Sequence, residues 1–269
     1  MSLSAGALDR EKSLHVEVLG AGPPVVLLHG WAMHGGVMRG LAEEMARTHR
    51  VFLVDLPGHG RSPSWPCFDL PTVLGCLQRS VPPSAHWLGW SLGGLLALAM
   101  ADSAPTKVRS LTLLSASPCF VARPGWPGIA AEDLAEMGTA LLLDPTSTLR
   151  RFAGLQTFGV PEARPLAQQL LDGLSEAPWA RSEALRGGLS VLAETDLRSA
   201  LGRLEAPLLV ILGRRDRLVP VAQGALLTTI NPSACVRILD QATHVPFLTH
   251  LQPVTDLVQT FLEALDRDR

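Results

Sequence analysis

The chain has 269 residues, of which 47% are hydrophobic and 18% charged, and its formal net charge at pH 7 is −2. This length exceeds that of an average domain but lies within the range of single α/β domains, so we expect one core with an inserted segment. The nearly balanced charge argues against a general nucleic-acid-binding protein, which would carry a strongly basic face.

The sequence shows no sign of export, membrane insertion or metal binding. Residues 9–12 are charged and no apolar segment follows them, so no secretory signal is predicted. The longest low-polarity stretch, residues 87–101, is shorter than the roughly 20 residues that span a bilayer. The four cysteines lie far apart without C-x-x-C spacing, which favours reduced thiols. We therefore expect a cytoplasmic monomer with no metal, no cofactor and no nucleic-acid or membrane partner.

Short apolar runs alternate with stretches of helical periodicity along most of the chain. An alternating run at residues 15–19, followed by a turn at 20–24, predicts an antiparallel hairpin at the start. The later apolar runs are 25–28, 51–54, 85–88, 110–114, 208–212 and 236–239. Helical periodicity occurs at 37–47, 92–102 and 253–265. This alternation predicts an α/β fold with a mostly parallel central sheet flanked by helices.

The alternation stops between Ser117 and about Leu204, where seven prolines and amphipathic stretches replace the next strand. Helices are predicted there over 129–143, 146–158 and 163–174. We therefore expect a helical cap inserted between core strands. The expected boundaries are 1–116 and 205–269 for the core, and 117–204 for the cap.

The pentapeptide at residues 89–93 reads G-W-S-L-G and lies between an apolar run and a helical run. A G-x-S-x-G pentapeptide between a strand and a helix is typical of a nucleophile elbow, in which small residues allow the backbone to bend sharply. Ser91 is therefore the candidate nucleophile. The alternative is an ordinary helix start at which Ser91 only caps the helix.

A serine nucleophile needs a base within hydrogen-bond distance and an acid that orients this base. Loops at the carboxyl ends of parallel strands form the ligand crevice, and His244 and Asp216 follow the runs 236–239 and 208–212. The chain order Ser91, Asp216, His244 is that of α/β-hydrolases. The alternatives are His250 as the base and Asp240 or Asp196 as the acid.

Ester hydrolysis also needs N–H groups that stabilise the developing oxyanion. The elbow offers the Leu92 N–H, and the loop after the run 25–28 offers the Trp31 N–H. His29, which opens that loop, is interpreted as a structural hydrogen-bonding residue and not as a base. The polar loop at 55–62 lacks a phosphate-binding lysine and is interpreted as a turn.

With these residues in place, the chain resembles the α/β-hydrolase superfamily over nearly its whole length. Within that superfamily it is similar to the BioH-type esterases, the pimeloyl-acyl-carrier-protein methyl ester carboxylesterases of biotin synthesis. The similar segments are 29–31, 87–94, 117–120, 126–129, 151–152, 155–157, 187–189 and 195–198.

The resemblance implies a serine carboxylesterase that hydrolyses the methyl ester of pimeloyl-acyl-carrier-protein methyl ester without a cofactor. It implies that Ser91, Asp216 and His244 form the triad, and that Trp31 and Leu92 occupy the oxyanion and substrate positions. The implied substrate-lining cap residues are Phe152, Ala153, Gly154, Leu155 and Gln156. The implied docking residues for the acidic acyl carrier protein are Arg151 and Arg164, with Arg150 as an addition, whereas Ser147 and Gln168 stand where two more arginines are expected.

Other functions remain open at this stage. A general short-chain carboxylesterase or a carbon–carbon bond hydrolase would use the same triad. A non-catalytic small-molecule receptor on the hydrolase fold is the alternative from another class. Haloalkane dehalogenases and epoxide hydrolases are disfavoured because both have aspartate at the elbow, and epoxide hydrolases also use cap tyrosines, of which this chain has none.

Overall fold

A computed structural model of the chain describes residues 13–267, so the charged residues 9–12, on which the export prediction rests, lie outside the described part. Its strands are β1 (Val16–Leu19), β2 (Pro24–Leu28), β3 (Arg50–Val54), β4 (Ala85–Trp90), β5 (Val108–Leu114), β6 (Leu208–Gly213) and β7 (Cys235–Leu239). They form one sheet in the order β1-β3-β2-β4-β5-β6-β7.

The helices of the described residues lie on both sides of this sheet in the chain order. Those of the first half are α1 (Arg39–Met45), α2 (Leu70–Ser80) and α3 (Leu92–Ser103). Between β5 and β6 come α4 (Ala131–Leu143), α5 (Pro145–Thr157), α6 (Ala163–Leu174), α7 (Ser182–Glu194) and α8 (Arg198–Gly202). The last are α9 (Gln223–Ile230), α10 (Pro246–Thr249) and α11 (Leu251–Arg267).

The mostly parallel sheet confirms the predicted fold class, but the predicted hairpin at its start is wrong. Strand β1 is antiparallel, yet it pairs with β3, with Val16 opposite Val54 and Leu19 opposite Val51. Strand β2 pairs in parallel with β3 on one side and with β4 on the other. Both edges of β2 are therefore occupied, and the free edge that β1 can join belongs to β3.

The centre of the sheet is apolar on both faces. Every residue of β4 and β6 is buried, because helices cover both sides of these strands. Such continuous burial is typical of parallel strands and explains why their sequences are apolar runs without alternation. Helix α3 follows β4 after the single residue Ser91, and it is buried from Leu92 to Ala101. The fold thus places the elbow at the carboxyl end of a central strand.

The segment between β5 and β6 is helical, and three of its helices start and end within two residues of their predicted bounds. Helix α5 begins where predicted, since the Asp144 side chain accepts a hydrogen bond from Ser147 N at 3.0 Å and Pro145 occupies the first turn. Asp196 does not lie in a helix as expected. It lies between α7 and α8 and forms a bridge with Cys119. The boundaries of core and cap stay a prediction.

No helix within residues 13–267 combines the length and the apolar character that crossing a membrane requires.

Candidate active site

Ser91 lies in a sharp turn between β4 and α3. Its backbone has φ 53° and ψ −120°, a conformation that non-glycine residues rarely adopt. A side chain at Gly89 would clash with the backbone of Gly93, and one at Gly93 would clash with Leu28 O. Two close backbone approaches therefore require glycine at both positions. The Ser91 hydroxyl makes no capping hydrogen bond with α3, so the alternative of a simple helix cap is wrong.

The side chains of Ser91, His244 and Asp216 form one hydrogen-bonded chain. Ser91 Oγ donates to His244 Nε2 at 2.9 Å, and His244 Nδ1 donates to Asp216 Oδ2 at 2.8 Å. The second carboxylate oxygen of Asp216 accepts from Leu218 N at 2.8 Å and from Val219 N at 3.0 Å. These backbone bonds fix the carboxylate, which in turn orients the imidazole toward the serine.

The alternative bases and acids from the sequence lie elsewhere. His250 Nδ1 is hydrogen-bonded to the neighbouring Thr249 Oγ1 at 2.7 Å. Asp240 pairs with Arg214 at 2.6 Å, and Asp196 pairs with Arg198 at 2.6 Å. None of the three takes part in the hydrogen bonds of His244.

The predicted oxyanion donors lie beside the elbow. A Cβ atom at Gly30 would come within 3.2 Å of Ser91 Cβ, so the loop that carries Trp31 is in contact with the serine. Leu92 is the first residue of α3, where the backbone N–H has no partner within the helix. Among residues 13–267, the Trp31 N–H donates no hydrogen bond. Their catalytic role remains a prediction.

His29 is held as a neutral structural residue, as its sequence context predicted. Its Nδ1 donates to Gly30 O at 2.8 Å, and its Nε2 accepts from Leu56 N at 2.9 Å. Burial lowers the pKa of His29 well below its usual value. Because both ring nitrogens are already used, His29 cannot act as a base for Ser91.

A cavity of about 760 Å³ opens beside Ser91, beneath the helices that follow β5. Its inner wall contains buried aromatic and aliphatic side chains, including Trp31, Phe120 and Phe152. Its rim is exposed and charged, with acids from α4 and with Arg151 and Arg217. An apolar chain thus fits inside, while a polar group stays at the rim. A second cavity, of about 610 Å³, lies between α1 and α6 and contains no triad residue.

The predicted substrate-lining segment of α5 divides between two faces of the helix. Phe152, Gly154 and Leu155 line the cavity, whereas Ala153 and Gln156 are buried away from it. Residues three apart on a helix share a face, so 153 and 156 point together into the protein. The carbonyl of Gln156 nevertheless reaches the site, because it accepts from His244 N at 3.2 Å.

The predicted docking arginines are all exposed, but only Arg151 lies at the cavity. Arg150 and Arg164 point away from its lining. Sequence reasoning missed Arg217, which lines the rim with its guanidinium carbon 5.1 Å from the centre of the Phe158 ring. The available signal was its place directly after Asp216, at the carboxyl end of β6. Among residues 13–267, no group of three histidine, cysteine or acidic residues is arranged to hold a metal ion.

Comparisons with known proteins agree with this architecture. The family profile described as alpha/beta hydrolase fold matches residues 23–251. The esterase from Exiguobacterium antarcticum superposes with a TM-score of 0.83 at 23% identity, covering 93% of this chain and 95% of that one. This likeness reaches across the whole core and the helices above it.

Curated relatives match over nearly the full length. The pimeloyl-[acyl-carrier protein] methyl ester esterase of Methylococcus capsulatus is 45% identical over 251 residues, which are 93% of this chain and 99% of that protein. The protein of the same name from Xanthomonas oryzae is 43% identical over 255 residues, covering 94% of this chain and 100% of the relative. The chain therefore belongs to the α/β-hydrolase family and, within it, to the family of the pimeloyl-[acyl-carrier protein] methyl ester esterases.

Proposed function

We propose that this protein is a serine carboxylesterase that hydrolyses pimeloyl-acyl-carrier-protein methyl ester to pimeloyl-acyl-carrier protein and methanol, a step of biotin synthesis. The observation that carries the proposal is the hydrogen-bonded chain from Ser91 through His244 to Asp216 at the base of an apolar cavity. Relatives at 41–45% identity carry the name of this activity.

The first half of the reaction forms an acyl-enzyme. His244 Nε2 takes the hydroxyl proton as Ser91 Oγ attacks the ester carbonyl carbon. The N–H groups of Trp31 and Leu92 stabilise the tetrahedral oxyanion, each contributing about 3 kcal/mol in comparable sites. The imidazolium, stabilised by Asp216, then gives its proton to the methoxy oxygen as the carbon–oxygen bond breaks and methanol leaves.

The second half restores the enzyme. A water molecule loses a proton to His244 and attacks the acyl carbonyl carbon, which forms a second tetrahedral oxyanion at the same N–H groups. The intermediate collapses, Ser91 Oγ leaves and receives the proton from His244. The product is the carrier-bound acid, which leaves with a free carboxylate where the methyl ester was.

The cavity supports this orientation of the substrate. Its volume of about 760 Å³ lies within the range of ordinary ligand sites, and its buried wall suits the methylene chain of a pimeloyl group. The methyl ester enters first, so the thioester and the carrier protein remain at the exposed rim. This placement keeps the thioester away from Ser91.

We propose that the carrier protein docks on the helices above the cavity. Arg151 at the rim, with the exposed Arg150 and Arg164, offers positive charge to an acidic partner. The cytoplasmic location and the monomeric state expected from the sequence belong to the same proposal, as do the expected boundaries of core and cap.

The proposal is tested with purified protein and carrier-linked pimeloyl methyl ester. We expect release of methanol and of the carrier-bound acid, and no release from Ser91→Ala, which keeps the fold but lacks the nucleophile. A fluorophosphonate probe should label the wild type and not Ser91→Ala. Labelling of the variant at another residue would overturn the assignment of the nucleophile.

A growth assay separates the proposed substrate from the alternatives that share the triad. The gene should restore growth of a biotin-requiring bacterial strain that lacks its own pimeloyl methyl ester esterase. Hydrolysis of short-chain esters without this rescue would favour a general short-chain carboxylesterase. Cleavage of a β-diketone without ester hydrolysis would favour a carbon–carbon bond hydrolase, and absence of both reactions would favour the non-catalytic receptor.

A further inference from the structure

Helix α7 contacts the loop that carries one predicted oxyanion donor. The Trp31 indole Nε1 donates a hydrogen bond to Leu185 O at 2.8 Å, across 154 positions of sequence. Three residues later on the same helix, a Cβ atom at Gly188 would lie 2.6 Å from Trp31 Cδ1 and 3.1 Å from Trp31 Nε1. The same Cβ atom would lie 3.6 Å from Leu92 Cδ2. Gly188 therefore faces the side chains of both predicted donors.

The two consecutive glycines of α7 are explained by contact and not by helix propensity. A glycine within a helix destabilises it by about 1 kcal/mol relative to alanine. A side chain at Gly187 would clash with Phe68 O, and one at Gly188 would press into the Trp31 indole. We call this pair, Gly187 and Gly188, the glycine notch. The notch brings the helix backbone closer to the core than any other residue type would allow.

The loop of Trp31 depends on this support for its conformation. Ala32, the next residue, has φ 62°, a left-handed conformation that costs a non-glycine residue about 1–2 kcal/mol. Strained residues of this kind persist only where their surroundings hold them. The Trp31 indole is buried and also meets the Phe152 ring edge-on, with 4.9 Å between the ring centres. The indole is thus held from both α5 and α7.

We propose that Leu185 and Gly188 are positioning residues for the oxyanion site. Helix α7 fixes the Trp31 indole and, through it, the direction of the Trp31 N–H relative to Leu92 N and Ser91. The inserted helices then serve catalysis as well as substrate binding. This inference rests on the proposed serine-esterase chemistry but is independent of the carrier-linked substrate.

The test compares Gly188→Ala with Gly138→Ala. Gly138 lies in α4, where a Cβ atom would be 3.9 Å from Leu189 Cδ1, an ordinary contact. Both variants are assayed on p-nitrophenyl acetate, with kcat expressed per active site titrated by a fluorophosphonate. Loss of one oxyanion donor lowers kcat about 100- to 1000-fold, so a displaced donor should lower it by at least about tenfold with little change in KM. Gly138→Ala should keep wild-type values.

A second variant, Trp31→Phe, keeps an aromatic ring but removes the hydrogen bond to Leu185. We expect its kcat to fall like that of Gly188→Ala. Affinity for an arylboronic acid, which adds to the serine oxygen and forms a tetrahedral anion, should fall by a similar factor. A purely structural role would lower the melting temperature but leave kcat per titrated site and boronate affinity unchanged, and that result would overturn the proposal.

The outcomes separate this inference from the proposed function. If wild type cleaves the aryl ester but not the carrier-linked ester, the proposed substrate fails and the positioning role is still measured. If wild type neither cleaves esters nor binds the boronate, both proposals fail. If Gly188→Ala does not fold, kcat and boronate affinity of Trp31→Phe decide.

Discussion

Ser91 owes its exposed hydroxyl to a backbone conformation that is unfavourable by itself. A residue at φ 53° and ψ −120° costs of order 1–3 kcal/mol, and the surrounding structure must offset this cost. The offset comes from burial of β4 and α3, which hold the turn from both sides. In return, Ser91 Oγ reaches His244 Nε2 at 2.9 Å.

At the same scale, Asp216 should matter through the tautomer of His244. In Asp216→Asn, the amide would donate to Nδ1 and leave the proton on Nε2, so the imidazole could no longer accept the serine proton. We expect kcat to fall by roughly 10⁴-fold, measured on a simple ester. Asp240→Asn is the matched control because Asp240 is exposed and pairs only with Arg214. Equal activity of the two variants would contradict the triad.

Individual elements show why some site residues were predictable and others were not. Helix α5 carries the predicted lining segment, and its 3.6-residue period places Phe152 and Leu155 at the cavity and Gln156 inside. A linear segment cannot reveal which face of its helix meets the ligand. The neighbouring arginines obey the same rule, since Arg151 reaches the rim and Arg150 does not.

The charge at the rim of α5 should affect carrier-linked substrate more than free ester. We expect Arg151→Glu to lower kcat/KM for the carrier-linked methyl ester about tenfold or more, because it reverses an exposed charge that faces an acidic partner. Dimethyl pimelate should be hydrolysed at nearly the wild-type rate.

The control for this experiment is Arg186→Glu. Arg186 is an exposed arginine of α7 outside the cavity lining, so the variant makes the same charge change on another helix. It should leave both substrates unaffected. If Arg151→Glu impaired the free and the carrier-linked ester equally, the docking role of Arg151 would be removed.

At the scale of the whole molecule, buried histidines make stability depend on pH. Burial lowers the pKa of His59 from 6.5 to about 4, and burial also lowers the pKa values of His29, His49 and His86. The unfolded chain therefore binds protons below about pH 6.5 that the folded protein does not bind. The free energy of unfolding should thus be highest above this pH and fall as the pH drops toward 4.

We expect His59 alone to account for a loss of about 2 kcal/mol between pH 7 and pH 5, measured by urea unfolding. Most carboxylates remain ionised in this range, which isolates the histidines. His59→Gln keeps a polar side chain that does not titrate, so its unfolding free energy should fall by about 2 kcal/mol less over the same interval. An identical pH dependence in both proteins would contradict the buried neutral state of His59.

The sequence alone determined the fold class and the order of the elements, because apolar runs and helical periods record local burial along the chain. The elbow could be recognised for the same reason, since its glycines and its place between strand and helix are contiguous in sequence. The candidates Asp216 and His244 followed from the rule that parallel strands place their carboxyl ends together.

Only the tertiary structure decided which strand β1 joins, which face of α5 meets the cavity, and that α7 contacts Trp31 through a glycine notch. Each of these depends on contacts between segments that are distant in the chain, and no local pattern encodes such pairings. Arg217 shows the same limit, because its place at the rim requires β6 and the end of α5 to come together in space. Local sequence sets what each element is, whereas packing between elements sets what the site contains.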